Sequence, residues 1–278
     1  MDKFKEKKNR FKKLEGKQKI IGFITGISVL IVILFLITNL GTDMVFSDYG
    51  TQENISIETD DGWTISGTHY TGGEEMVVLI HMLGGDSSDW DNMVEELLEE
   101  RYTVVTLDLR GHGESQEREG DETTDWRNFE DDFGEEESWD TEFKKMREDV
   151  RDVVDYVKES SEISKVNLVG AEIGANIAAH YTEIREVDNI LMISPGLGAS
   201  YWSGVPIIGQ VQNFENPTLF VVSEDTAYSL SGTELLYNDS PSEDKEKIVL
   251  EEAGRGTRIF EEEPELVEDL VEWINQRN

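Results

Sequence analysis

Cysteine is absent from the chain. Its absence removes disulfides, thiolate metal sites, a lipidated cysteine and cysteine nucleophiles together. Basic residues are scarce: 25 Lys and Arg stand against 60 Asp and Glu, a formal net charge of −35. Histidine is scarcer, with His69, His81, His112 and His180 the only four, so the last third of the chain has no imidazole. The shortage of positive charge excludes nucleic acid as a partner of the acidic region, because phosphate contacts need clustered Lys and Arg. No D-x-D-x-D-G loop with a trailing glutamate occurs in the acid-dense stretch 115–140, which reads as solvated surface rather than a calcium site. Neither a metal nor a cofactor is expected.

The charge that is present is unevenly placed. Nine of the Lys and Arg residues fall within positions 1–19, against Asp2, Glu6 and Glu15. Residues 20–40 then carry no charge and have the length of about 20 residues that spans a bilayer as a helix. Residues 1–19 therefore read as a basic cytoplasmic segment and 20–40 as a transmembrane signal anchor. A cleaved signal peptide is the competing reading, but Asn39-Leu40-Gly41-Thr42-Asp43 offers no small-residue cleavage site. Residues 41–51 form a polar linker, and 52–278 remain as an extracytoplasmic domain. Removing the nine basic and three acidic residues of positions 1–19 leaves 16 basic and 57 acidic, a net charge of −41. Like charges at that density oppose a compact state unless salt screens them, which points to a halophilic setting.

The domain reads as α/β. Asn54–Glu58 and Trp63–Tyr70 flank the turn former Thr59-Asp60-Asp61-Gly62 and are expected to form a hairpin. Strands are expected at Met76–His81, Thr103–Asp108, Lys165–Gly170, Asn189–Ile193, Thr218–Val222 and Lys247–Glu251. Helices are expected at Trp90–Glu100, Thr141–Ser160, Gly174–His180, Gly232–Tyr237 and Pro264–Asn275. That alternation implies a mostly parallel sheet covered on both faces. The segment 196–215 is too short for a large lid, and its Tyr201, Trp202, Ile207 and Ile208 are candidates to cover a site or touch the membrane.

Gly170-Ala171-Glu172-Ile173-Gly174 has the spacing of the G-x-S-x-G nucleophile elbow, with glutamate in the serine's place. The spacing needs Gly170 and Gly174 because the strand must pass close beneath the helix that follows. Two further blocks accompany it: Val77–Gly85, with a His81-Met82-Leu83-Gly84-Gly85 loop, and Leu107–Ser115, which reads D-x-R-G-H-G-x-S from Asp108. With these three blocks in order, residues 53–278 resemble the α/β-hydrolase superfamily, in particular its esterase, lysophospholipase and dienelactone-hydrolase-like members. The resemblance implies oxyanion-hole-like amides at Met82 and Ile173. It also implies an acid after the Thr218–Val222 strand and a histidine after the last strand. At the acid, family spacing falls on Thr226 with Asp225 one residue early. At the histidine, Ala253-Gly254-Arg255-Gly256-Thr257 puts Arg255 in the imidazole's place. The triad is thus degenerate at Glu172, Asp225 or Thr226, and Arg255. His81 and His112 are expected to pack loops, and His69 and His180 to lie at surface or boundary positions.

A serine needs a base within reach, and an always-protonated guanidinium is a poor one. Glu172 and Arg255 are instead expected to form a bidentate ion pair in a defunct pocket, costly to break if that pocket is dry. The leading reading is a membrane-anchored pseudoenzyme that binds an unknown small molecule or protein, or serves a structural purpose. One alternative is an active ester hydrolase using Ser194, Ser223, Glu224 or Asp225. Another is a sensor that takes a small anion through Arg255.

Overall fold

The computed structural model describes residues 50–119, 123–130 and 139–277. The basic segment 1–19, the expected transmembrane helix 20–40 and all but the last two residues of the linker 41–51 lie outside the described residues, as do parts of the acidic stretch. Among the described residues no helix is long and apolar enough to cross a membrane. Residues 49–278 group as one compact unit.

Eight strands form one sheet in the order β1-β2-β4-β3-β5-β6-β7-β8. They are β1 (Gln52–Glu58), β2 (Thr64–Tyr70), β3 (Glu75–Ile80), β4 (Thr103–Leu107), β5 (Lys165–Ala171), β6 (Asn189–Ile193), β7 (Thr218–Ser223) and β8 (Lys245–Leu250). β1 pairs antiparallel with β2, and β2 antiparallel with β4. Every pairing from β4 through β8 is parallel. The helices are α1 (Asp91–Glu99), α2 (Trp139–Ser160), α3 (Ile173–Tyr181), α4 (Leu197–Ser203), α5 (Ile208–Gln212), α6 (Ala227–Asp239), α7 (Ile259–Glu262) and α8 (Leu266–Asn275).

Strand periodicity sorts the core into two layers. Along β3, Met76, Val78 and Ile80 face a cluster shared with α2, α3, α5 and α6. Val77 and Leu79 face the cluster built on α1, α7 and α8. Successive side chains of a strand point to opposite faces, so a strand covered on both sides reads as an unbroken apolar run.

Several expectations are corrected. Residues 196–215, for which no helix was expected, contain α4 and α5; α4 stops at Gly204, whose φ of 71° ends it in the left-handed conformation. The helix expected at Gly232–Tyr237 extends over Ala227–Asp239. His69 and His180 are buried, not peripheral. His69 shares the inward face of β2 with Ile65, two strand periods earlier. His180 lies in the last turn of α3 against α2, where Arg147 Nη1 meets its Nε2.

Candidate functional site

The strand-to-helix turn after β5 places Glu172 at its tip with φ 50° and ψ −109°. That conformation is strained for any residue with a β-carbon. It is held from both sides: Glu172 N–H donates to Ile193 O at 2.8 Å, and Glu172 O accepts from Ala175 and Asn176 N–H. A β-carbon at Gly170 would sit 2.3 Å from Gly174 O, and one at Gly174 would sit 2.2 Å from Ile80 O. Only hydrogen fits at either place, so the closeness of strand and helix that the spacing requires is what the structure has.

Opposite the elbow, the loop after β8 carries Arg255 on a backbone fixed at three places around it. Ala253 N–H donates to Ser223 Oγ at 2.9 Å, and Gly254 N–H to Asp225 Oδ2 at 3.2 Å. Gly256 N–H donates to Ser194 Oγ at 3.0 Å. Ser223 in turn donates its hydroxyl to Asp225 Oδ1 at 2.5 Å. Ser194 adopts φ 51° to reach its amide and is fully buried. Gly256 has φ 58°, and a β-carbon there would lie 2.5 Å from Met82 Sδ and 3.4 Å from Glu172 Cγ. The structure therefore gathers Met82, Glu172, Arg255 and Gly256, with Asp225 attached through Gly254. Thr226 is not in this group, because its hydroxyl donates to Ser223 O at 2.9 Å within its own turn. Ile173 contributes at most its amide, since its side chain lies in the core.

Arg255 Nε stands 3.0 Å from Glu172 Oε1. The contact is neither bidentate nor a hydrogen bond, for Oε1 is buried and has no donor directed at it. The reason is exposure: the Arg255 side chain is 62% exposed and Glu172 only 17%. The guanidinium thus remains hydrated and meets the carboxylate edgewise, so the expected dry, two-pronged pair is corrected to a single ionic contact at the rim. Burial pushes the Glu172 carboxyl above its ordinary range, and the nearby charges of Arg255 and Arg258 only partly offset it.

No histidine serves this site. His81 holds two loops together: its Nδ1 lies 2.7 Å from Met82 O and its Nε2 accepts from Leu109 N–H at 2.9 Å. That pattern fixes the neutral tautomer protonated on Nδ1. His112 stacks on Trp126 at 5.6 Å with planes 7° apart, its Nδ1 3.1 Å from Arg110 O. Burial, aided by the neighbouring His81, brings its pKa down to about 3. Among the described residues none of the four imidazoles hydrogen-bonds to Glu172, Ser194, Ser223 or Asp225.

The D-x-R-G-H-G-x-S loop is used structurally. Asp108 accepts from Ser87 N–H and Glu114 N–H at 2.7 Å each, and the Ser115 hydroxyl donates to Asp108 O. Arg110 grips Asp149 with Nε at 2.7 Å and Nη2 at 2.5 Å, and reaches Glu142 and Asp61 with Nη1. Arg110 and Asp149 are both buried, and burial raises the Asp149 carboxyl to about 6 against the pull of Arg110. Among the described residues no group of three or more His, Asp or Glu side chains is arranged to hold a metal ion.

Sequence reasoning placed Ser194 and Ser223 as pocket-lining polar residues; they are pins for the Arg255 loop. No sequence signal announces that role, because each hydroxyl is separated from its amide partner by 62 and 30 residues respectively.

Residues 75–199 match the family model described as the alpha/beta hydrolase fold. A 58-residue stretch is 43% identical to the dihydrolipoyllysine-residue acetyltransferase component of the acetoin cleaving system of Cupriavidus necator, covering 21% of this chain and 15% of that protein. An esterase of Pyrococcus furiosus superposes with a TM-score of 0.64 at 18% identity, covering 82% of this chain and 92% of that one. An esterase of Exiguobacterium antarcticum gives 0.60 at 13% identity, covering 80% and 100%. A thermophilic esterase of Thermogutta terrifontis gives 0.61 at 16% identity, covering 81% and 98%. At these identities the structural likeness speaks for the fold.

Proposed function

Since the chain belongs to the α/β-hydrolase superfamily yet carries Glu172 at the elbow tip, we propose that it is a membrane-anchored member that keeps the scaffold for binding and has lost triad hydrolysis. One observation carries this: the tip carboxylate faces a guanidinium 3.0 Å away where a hydroxyl and an imidazole are needed. Ester hydrolysis needs a group that takes a proton from the nucleophile or from water. Arginine stays protonated, and His81 is committed to two backbone partners. Fold alone does not argue for activity.

The anchoring half of the proposal rests on the uncharged run 20–40 and the basic residues before it. The orientation that follows puts residues 1–19 in the cytoplasm and the acidic domain outside, where concentrated salt would screen its charge. Protease added to intact cells or right-side-out vesicles should digest the domain; complete protection would reverse the orientation.

The decisive assay uses the full chain in vesicles at high salt with p-nitrophenyl esters of graded acyl length. No turnover above a Glu172→Ala control is expected. Turnover that Glu172→Ala abolishes would establish a working hydrolase with unusual residues. The paired change Glu172→Ser with Arg255→His then asks whether the scaffold alone supports chemistry.

One observation favours a more specific binding role. The terminal nitrogens of Arg255 make no hydrogen bond among the described residues, and the side chain is 62% exposed. A guanidinium held by Nε alone leaves its forked face for a small carboxylate or similar anion. Stabilisation of the chain by such an anion, lost in Arg255→Ala, supports this reading; equal stabilisation of both removes it.

A further inference from the structure

The sequence is 31% charged, but two stretches that pack together are almost silent. Residues 194–214, which carry α4 and α5, contain no Asp, Glu, Lys or Arg. Residues 226–238, most of α6, contain only Glu234, and Lys247 of β8 pairs with it. α4 and α5 both pack on α6. Tyr228 covers Gly198 so closely that a β-carbon at Gly198 would lie 2.3 Å from its ring.

Among the described residues, four of the five exposed large hydrophobic residues lie on α5, α6 and β8. Tyr228 is 64% exposed, Ile208 40%, Leu235 39% and Val249 39%. Tyr228, Ser231 and Leu235 stand on one face of α6 at positions i, i+3 and i+7, and all three are exposed. Val249 shares its side of β8 with Lys245 and Lys247, whose amines reach Tyr237 O and Glu234 of α6. Val249 thus lies on the side of β8 that faces α6.

A lipid surface is the occupant that charge selects. Entering a headgroup layer strips water from whatever faces it, and burying carboxylates is costly, so a domain carrying −41 over residues 41–278 is held off over most of its surface. This face combines a single carboxylate, that of Glu234 paired with Lys247, with an exposed tyrosine and aliphatic side chains, the mixture enriched where headgroups meet acyl chains. The linker 41–51 spans at most about 40 Å when fully extended, at ~3.5 Å per residue. Encounter with the bilayer is therefore intramolecular, and a weak patch suffices.

We infer that the face built by α4, α5 and α6 and extended by Val249 docks on the lipid headgroup region of the membrane that anchors the chain. α4 follows the carboxyl end of β6 and α6 that of β7, the same end of the sheet at which Glu172 stands, so docking turns the rim of the site toward the lipid. The inference rests on the anchoring proposed above, and its test separates the two.

The chain has no cysteine of its own, so a single label is unambiguous. Full-length Tyr228→Cys carrying an environment-sensitive fluorophore is reconstituted in phosphatidylcholine vesicles with and without doxyl-labelled lipid, beside Glu99→Cys as an aqueous control. The expected result is a blue shift and at least twofold stronger doxyl quenching at position 228 than at position 99. A Leu235→Glu change in the 228-labelled chain should return its quenching to the control level. Equal quenching at both positions, with the chain still resisting carbonate extraction, overturns docking and leaves anchoring intact. Quenching at 228 in a chain that carbonate releases keeps docking and removes the anchor. A blue shift without doxyl quenching that disappears on dilution of protein per vesicle assigns the patch to a second copy of the chain and overturns the lipid.

Discussion

Ser194 Oγ accepts the Gly256 N–H at 3.0 Å, so the end of β6 fixes the residue next to Arg255. Together with Ser223 and Asp225, this pin gives the loop its shape before any side chain at position 255 is considered.

Gly256→Ala should destabilise the domain by about 1–3 kcal/mol, since a β-carbon at φ 58° also meets Met82 Sδ at 2.5 Å. Gly254→Ala is the comparison, because the space beside Gly254 is open although its φ is 72°. The difference between their urea midpoints isolates the collision from the backbone strain.

Glu172→Gln should leave stability unchanged or raise it near neutral pH. Burial raises the folded pKa of this carboxyl, so whatever stability it contributes is present below its unfolded pKa and lost as pH rises through the folded one. The advantage of the glutamine chain should therefore shrink on acidification toward the carboxyl's ordinary range. Urea titrations at neutral and acid pH read this. A marked loss at neutral pH would mean that the contact with Arg255 outweighs burial, contrary to the exposure of that side chain.

His112→Phe keeps the ring over Trp126 and removes a titrating group. With its folded pKa near 3 and its unfolded value 6.5, His112 contributes stability above the unfolded pKa that is lost as pH falls toward 3. The phenylalanine chain should therefore lose stability less steeply over that window, by up to about 1.4 kcal/mol per pH unit. Parallel pH profiles for the two chains would contradict the assignment. Buried Asp149, raised to about 6, works in the opposite direction between its unfolded pKa of 3.8 and that value in both chains, so it cancels in the comparison.

Asp149→Ala removes the two-pronged partner of buried Arg110, and a stranded buried charge costs about 3–5 kcal/mol. Glu142 and Asp61 still touch Nη1 and should keep the loss below that of a wholly unpaired arginine. Thermal unfolding of both chains at one salt concentration checks this.

Raising NaCl from about 0.1 M to about 1 M shortens the Debye length from about 10 Å to about 3 Å and should raise the melting temperature of this acidic domain. Potassium chloride should act equally if screening is the cause. A melting temperature that does not move with salt would argue against repulsion as a destabilising force here.

The parallel strands were legible because burial on both faces leaves unbroken apolar runs such as Asn189–Ile193, whose bounds match the structure. The meeting of Glu172 with Arg255 was legible because the spacing of Gly170 and Gly174 fixes the elbow and the glycines around Arg255 mark the facing loop. Its form was not: exposure of a long side chain is a tertiary property, and it turned the expected two-pronged pair into one edgewise contact. α4 and the first turns of α6 were hidden because Gly, Ser and Tyr there give little helical periodicity. The burial of His69 and His180 was hidden for a similar reason, since a lone imidazole carries no pattern that separates inside from outside.

The clamps on Ala253, Gly254 and Gly256 leave the side chain between them as the one free variable of that loop. A change of codon at position 255 exchanges one functional group for another on an unmoved mount, so gain or loss of chemistry there can proceed without refolding anything nearby.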